Sequence, residues 1–143
     1  MSDISDISDI LVPISPGELL DKITILRIKS ARIQDAAKLA NVRLELGLLT
    51  QIWEAAAAGA AGADVSADIQ ALQAVNEQLW DIEDKIREQE SAQAFDAEFI
   101  ALARQVYLRN DERAAVKKRI NTRMGSRIVE EKSYAGYAPA AKR

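Results

Sequence analysis

The 143-residue sequence contains no cysteine and no histidine. The lack of cysteine excludes disulfide bonds, cysteine-ligated zinc and iron–sulfur sites, and a thiol nucleophile. The lack of histidine excludes an imidazole base, and it leaves no side chain whose ordinary pKa lies near neutrality. Any catalysis would therefore have to use carboxylates, lysine, arginine, tyrosine or hydroxyl groups.

Proline, glycine and aromatic residues are scarce as well. There are 3 Pro and 6 Gly, and aromatic residues make up 5% of the chain. So few aromatic residues disfavour a sheet-based core and a surface that stacks nucleic-acid bases. Apolar residues are 48% and charged residues 29%, which is typical of one soluble, all-α domain.

The charge pattern bears on location and partners. The net charge is −3, so nothing attracts the whole chain to nucleic acid. No apolar run approaches the ~20 residues of a membrane span, and the acidic start of the sequence differs from the basic start of a signal peptide. We therefore expect a cytoplasmic protein that does not span a membrane or bind nucleic acid.

The clearest local signal marks the start of a helix after an apolar segment. Ser15 is suited to cap the helix, Pro16 to its first position, and Glu18 to a capping box. Ile14 and Leu19 are spaced for a hydrophobic staple. The sequence therefore predicts a helix that begins at Pro16.

This first helix is predicted to be long, at about residues 16–57. No proline and only Gly47 interrupt it before an alanine-rich stretch. Apolar residues keep a spacing of three or four at Leu19, Ile23, Leu26, Ile33, Ala37, Ala40 and Leu44. Shorter helices are predicted over residues 66–90 and 96–124, and Gly125 follows the last one as a terminating residue.

The predicted organisation is a three-helix antiparallel bundle over residues 10–125. A flexible tail at residues 1–9, with three Ser-Asp-Ile repeats in residues 2–10, precedes it. A partly ordered tail at residues 126–143 follows it.

The first helix is predicted to be longer than the two helices that pack against it. When the shorter helices fold back, residues 16–32 have nothing opposite them and form an apolar overhang of about 25 Å. Three arrangements could cover it: a second copy, a break near Ser30 with the helix folding back, or the two tails. We expect the first, an intertwined or coiled-coil-like homodimer. Its dimer or partner surface would be Leu19, Ile23, Ile25, Leu26 and Ile28.

Polar residues interrupt the apolar faces of the two shorter helices. They are Asn76, Glu83, Arg109, Asn110 and Arg113. One interpretation is a buried polar layer that sets the helix register. Another is that Arg109 and Arg113 form a pair of planar donors for a carboxylate or phosphate. A third is that these positions lie on the surface.

Two carboxylate pairs with a spacing of three were considered as metal ligands. Glu18 of the first pair, Glu18 and Asp21, already has a predicted capping role. Asp81 and Asp84, the second pair, lie in a helix rich in exposed charge. We therefore expect no metal and no other cofactor.

Several segments resemble an uncharacterised bacterial family of short all-helical proteins, a domain of unknown function. The resemblance covers about residues 10–137. It rests on Ile14-Ser-Pro-Gly-Glu-Leu-Leu-Asp-Lys-Ile-Thr-Ile-Leu26, Leu79-Trp-Asp-Ile-Glu-Asp-Lys-Ile-Arg87, Asn110-Asp-Glu-Arg113 with Ile120-Asn121, and Glu130-Glu-Lys-Ser-Tyr134. It implies a link to glycosyltransferase-like proteins in envelope-polysaccharide systems, but no established activity and no catalytic residues.

The predicted topology is also similar to that of the all-α chorismate mutases, which bind a dicarboxylate with basic side chains inside a bundle. The basic residues available for such a cavity are Arg27, Lys38, Arg43, Arg109 and Arg113. Their order and spacing differ from that family's motif, so the likeness is one of fold alone.

Two functions remain open at this point. The first is a non-enzymatic helical interaction or accessory module that dimerises through its long first helix and has a possible protein partner. The alternative is a bundle that binds a small anion, with any catalysis supplied by the electrostatics of arginine and lysine.

Overall fold

The structure, a computed structural model, describes residues 9–60 and 63–137. In these ranges the chain forms four α-helices and no β-strand: α1 (Pro16–Arg32), α2 (Ala36–Gly59), α3 (Ser66–Ser91) and α4 (Ala97–Met124). The all-α prediction is confirmed, whereas the three-helix bundle is wrong. Residues 1–8 of the tail predicted at residues 1–9, and residues 138–143 of the predicted C-terminal tail, lie outside the described residues.

The long first helix is in fact two helices. Ile33 has an extended backbone, with φ −76° and ψ 133°. The carboxylate of Asp35 then caps α2 by accepting a 2.9 Å hydrogen bond from the backbone N–H of Lys38. The cap satisfies a backbone donor that a free helix start would leave unpaired. The structure thus has the break that was the second of the three possible arrangements.

The fold-back of α2 covers the apolar residues of α1. Leu46, Leu49 and Trp53 of α2 pack against the core that includes Leu20 and Ile23. Four residues of the predicted dimer surface are buried inside the single chain, namely Leu19, Ile23, Leu26 and Ile28, and Ile25 is half-buried. The predicted homodimer was derived from an uncovered overhang, and that overhang does not exist.

Helix α1 is the centre of the fold. It packs against each of the other three helices, and α3 also packs against α4. The shared core consists of Leu19, Leu20, Ile23, Val65, Leu72, Val75, Val116 and Ile120. Full burial of one such side chain contributes about 1.5–3 kcal/mol, so these contacts hold the four helices together.

The chain turns back on itself after α4. Gly125 ends the helix with a left-handed backbone, φ 66°, which glycine adopts at no steric cost. Residues 130–137, here called the strap, then run along α4. Glu130 lies beside Lys117, and the rings of Tyr137 and Tyr107 are 5.3 Å apart. The strap and α4 therefore form the two sides of a cleft.

None of the helices within the described ranges has the length and apolar character needed to cross a membrane.

Candidate functional site

A buried polar cluster lies where α1, α3 and α4 meet. The side-chain amide of Asn76 donates one hydrogen bond to Asp21 Oδ1 and another to Thr24 Oγ1, each 3.0 Å long. The Thr24 hydroxyl in turn donates to the backbone carbonyl of Asp21 at 2.9 Å. All three residues are buried. Because burying an unpaired polar group is costly, these bonds favour one register of α1 against α3.

Lys117 of α4 joins this cluster to the strap. Its Nζ donates to Glu18 Oε2 at 2.7 Å and to Glu130 Oε2 at 3.0 Å, and it lies 3.7 Å from Asp21 Oδ2. Burial by itself would lower the pKa of Lys117, but its hydrogen bonds to the two glutamates and the charge of Asp21 raise the pKa overall. The hydrogen bond from Lys117 lowers the pKa of Glu130. Lys117 therefore forms ion pairs that connect α4 to α1 and to the strap.

A close contact between α1 and α4 brings the charged groups together. The backbone N–H of Gly17 donates a 2.7 Å hydrogen bond to Asn121 Oδ1. A Cβ atom at residue 17 would lie 2.6 Å from the backbone oxygen of Lys117. Glycine thus allows an approach that any larger residue would prevent, and this approach places Asp21 near Arg113.

Arg113 lies beside the buried polar cluster but donates no hydrogen bond to it. Its Nε lies 3.9 Å from Asp21 Oδ1, and its side chain is 28% exposed. That distance is too long for a hydrogen bond, and none joins the guanidinium to another residue of the described part of the chain. Its N–H donors therefore point toward solvent or a ligand.

The cleft between α4 and the strap, here called the tyrosine cleft, has a volume of about 810 Å³. Its lining combines aromatic, cationic and amide groups. These residues are Val106, Tyr107, Asn110, Asp111, Arg113, Lys132, Tyr134, Ala135, Gly136 and Tyr137.

The charged groups of the tyrosine cleft are two cations and one carboxylate, from Arg113, Lys132 and Asp111. A hydrogen bond to Asp111 raises the pKa of Tyr137, which keeps the phenol neutral. Lys132 Nζ lies 3.5 Å from Glu130 Oε1 and 5.6 Å from the ring centroid of Tyr134. The neutral phenol of Tyr137 thus lies beside the carboxylate of Asp111. Both cations, Arg113 and Lys132, line the same cleft.

A second cleft, here called the tryptophan cleft, lies between α1, α3 and α4 and has a volume of about 470 Å³. Its lining residues are Ile25, Asn76, Leu79, Trp80, Glu83, Asp84, Arg87, Asn110 and Arg113. Asn110 and Arg113 line both clefts. These two side chains therefore form the partition between them.

The structure brings most of the sequence-predicted polar residues together. Asn76, Glu83, Asn110 and Arg113 line the tryptophan cleft, where Glu83 Oε2 also lies 3.7 Å from Arg87 Nε. Arg109 instead bonds within its own helix, to Gln105 at 3.1 Å and Glu112 at 2.7 Å, and it lines neither cleft.

Three other arginine and lysine candidates lie away from the site. Arg27, Lys38 and Arg43, taken from the likeness to chorismate mutases, are exposed and line neither cleft. The carboxylates of Glu18 and Asp21 face Lys117. Across the ranges that the structure describes, no group of three acidic side chains is placed to hold a metal ion.

Sequence reasoning missed the centre of the cluster and one wall of the cleft. Asp21 and Thr24, spaced by three on an otherwise apolar helix face, were an available signal for the buried cluster. Nothing local in residues 130–137 indicates that they run back along α4.

Over residues 9–60 and 63–137, the fold is all-α with four helices, and a tyrosine-lined cleft that contains two cations lies beside α4. The chain matches the family described as "Family of unknown function (DUF6165)" over residues 10–141, and it belongs to that family. Comparison with curated proteins and with solved structures finds no significant match.

Proposed function

We propose that this protein binds a small organic anion, a carboxylate or a phosphate, in the tyrosine cleft. The observation that carries the proposal is the position of Arg113. A partly exposed guanidinium lies 3.9 Å from a buried carboxylate and lines two clefts. The role proposed is binding, because the lining offers cations and neutral donors to an anion.

The side chain of Arg113 is partly held in position without a ligand. Asp21 attracts Arg113 from the buried side, while Asn76 donates a hydrogen bond to Asp21 and the ammonium group of Lys117 lies 3.7 Å from it. Asp21 therefore does not need a hydrogen bond from Arg113, and the guanidinium can offer two parallel N–H groups to a carboxylate or phosphate.

Neighbouring groups suit the same ligand. The amide of Asn110 lines the cleft beside Arg113, and amides donate to anionic oxygens. Among the described residues, Lys132 forms an ion pair with the exposed Glu130 alone, at 3.5 Å, and such exposed pairs are weak. Lys132 can therefore exchange this partner for the ligand. A cleft of about 810 Å³ falls in the usual range for small-molecule sites.

The test is a titration of inorganic phosphate and of acetate, at constant ionic strength, monitored by the shift in melting temperature. The variants are Arg113→Met and Arg113→Lys. The matched control is Arg109→Met, which removes an arginine one turn away that lines neither cleft. We expect a shift in the wild type and in Arg109→Met, a shift that is lost in Arg113→Met, and affinity about tenfold weaker in Arg113→Lys.

Two results would overturn the proposal. One is the absence of any shift in the wild type at anion concentrations up to tens of millimolar. The other is an equal shift in Arg113→Met and Arg109→Met, because anion binding would then occur elsewhere.

A second candidate function is that of an accessory module that binds a partner protein. The observation that favours it is the apolar segment before α1, where Ile10 is 84%, Leu11 88% and Val12 65% exposed. Side chains of this kind, exposed side by side, are typical of interaction surfaces. A photo-crosslinking residue at position 11 should capture a defined partner in cells, and one at the exposed Gln51 should not. Equal capture at the two positions would count against this function.

A further inference from the structure

All three tyrosines of the chain line one cleft. The sequence contains 3 Tyr, and Tyr107, Tyr134 and Tyr137 each belong to the lining of the tyrosine cleft. Their exposed fractions are 41%, 78% and 58%. These rings contribute little to the core, so core packing does not explain why they are together.

The rings are arranged around an open space. Tyr107 and Tyr137 have centroids 5.3 Å apart with a 48° angle between the ring planes. Asp111 lies close enough to the Tyr137 hydroxyl to raise the pKa of that phenol. Tyr134 carries the ammonium of Lys132 over its ring at 5.6 Å. The cleft thus has aromatic faces at the end that α4 and the strap share.

Arg113 and the tyrosine of α4 are separated along that helix. Arg113 and Tyr107 are six residues apart in one helix, which corresponds to about 9 Å along its axis. Asn110 lies between them and lines the same cleft. A ligand that touches both side chains has to be longer than a bare phosphate or carboxylate, by about the width of one ring.

We infer, on the basis of the proposed function, that the ligand is a ring-bearing organic anion: a six-membered ring that carries a phosphate or a carboxylate. Its acidic group binds Arg113, and its ring packs against the tyrosines. Tyrosine faces pack well on an aryl ring through contact between the two π-systems, and on a sugar ring through the C–H groups of its less polar face. Asn110 and Asp111 are placed for polar substituents of the ring.

The carboxylate of Asp111 narrows the class further. It accepts hydrogen bonds from hydroxyl groups and repels additional negative charge. The cleft therefore favours a ligand with a single acidic group at the Arg113 end over one with acidic groups at both ends.

Calorimetric titration with probes that share one acidic group tests this inference. The probes are inorganic phosphate, glycerol phosphate, phenyl phosphate and glucose 1-phosphate. We expect at least one of the two ring probes to bind at least tenfold more tightly than glycerol phosphate. Tighter binding of phenyl phosphate indicates an aryl ligand, and tighter binding of glucose 1-phosphate indicates a sugar.

The variant Tyr107→Leu should bind the ring probes no more tightly than glycerol phosphate, so that their advantage in affinity is lost. Its affinity for inorganic phosphate should remain unchanged. The conservative control Tyr107→Phe keeps the ring and should keep the advantage. Tyr107 is exposed, so both variants should melt at the wild-type temperature, which a thermal scan verifies.

The outcomes separate this inference from the proposed function. Equal affinity of the wild type for all four probes, abolished by Arg113→Met, overturns the inference and supports the proposed function. A ring advantage that survives Tyr107→Leu and Tyr134→Leu together also overturns the inference. If no probe binds, or if Arg113→Met binds the probes with wild-type affinity, the proposed function is wrong as well.

Discussion

The backbone N–H of Gly17 donates a 2.7 Å hydrogen bond to the side chain of Asn121, 104 residues later in the sequence. This bond satisfies one of the free N–H groups at the start of α1. It also fixes the distance at which α1 and α4 lie, and therefore the position of Asp21 relative to Arg113 and Lys117.

Replacement of Gly17 should disturb this contact. In Gly17→Ala the new Cβ would lie 2.6 Å from the Lys117 backbone oxygen and 2.9 Å from Asn121 Oδ1. We expect the free energy of unfolding to fall by about 2 kcal/mol in urea denaturation. The matched control is Gly47→Ala in α2, where nothing lies within 4 Å and where alanine should stabilise the helix by about 0.5–1 kcal/mol. Equal effects of the two substitutions would refute the role given to Gly17.

Replacement of Asn76 should leave buried acceptors without a donor. Asn76→Leu removes the hydrogen bonds to Asp21 Oδ1 and Thr24 Oγ1, and each unsatisfied buried group is costly. We expect a loss of about 2 kcal/mol in the free energy of unfolding. Gln78→Leu, on the exposed side of the same helix, should change it by less than about 0.5 kcal/mol. An Asn76→Leu protein as stable as Gln78→Leu would contradict this account.

The docking of the strap should depend on pH. The pKa of Glu130 is lowered from its ordinary 4.5 in the folded chain. Its contribution is therefore present above pH 4.5 and is lost as the pH falls through the lowered value. The pKa of Lys117 is raised from 10.5, so its contribution is complete below that pH and is lost as the pH rises through the raised value.

Docking is thus expected to be constant from about pH 5 to about pH 10, and to weaken as the pH falls through the lowered pKa of Glu130 or rises through the raised pKa of Lys117. Hydrogen exchange of the strap amides, or NMR shifts of the Tyr137 ring, would follow the transition. Glu130→Gln should weaken docking at neutral pH and remove the acid transition. An acid transition in Glu130→Gln with the wild-type midpoint would exclude Glu130 as its cause.

The break between α1 and α2 should depend in part on its cap. Asp35→Ala removes the acceptor for the Lys38 N–H, which should lower the free energy of unfolding by about 1 kcal/mol. Asp35→Asn retains a capping oxygen and should recover most of this loss. Gln34→Ala, at an exposed neighbouring position, serves as the neutral control. A wild-type urea midpoint for Asp35→Ala would show that the cap contributes nothing.

The ends of the helices could be predicted where local chemistry decides them. Ser15 caps α1 by accepting from the backbone N–H of Glu18, and Gly125 takes the left-handed backbone that ends α4. The break after Arg32 could not be recognised from spacing, because apolar residues keep the same period on both sides of it. The capping capacity of Asp35 was the one local indication.

The site was accessible from the sequence only in part. Asn76 and Arg113 interrupt apolar faces, and that pattern is visible without a structure. Lys117 and Glu130 meet through a reversal of the chain after Gly125, which no periodicity encodes. Arg109 forms a hydrogen bond to Glu112, and Glu83 an ion pair with Arg87, each within one turn of the same helix. Which partner each side chain takes depends on its rotamer and not on the order of residues in the sequence.

The central position of α1 also has a consequence for the order of folding. The helix is synthesised before the other three, yet its partners Asn121 and Lys117 are translated about a hundred positions later. Contacts of such high sequence separation form slowly, because the ends of a long loop must first meet. Until α4 leaves the ribosome, Leu20 and Ile23 lack their complete cover, and the nascent chain is most prone to aggregation during that interval.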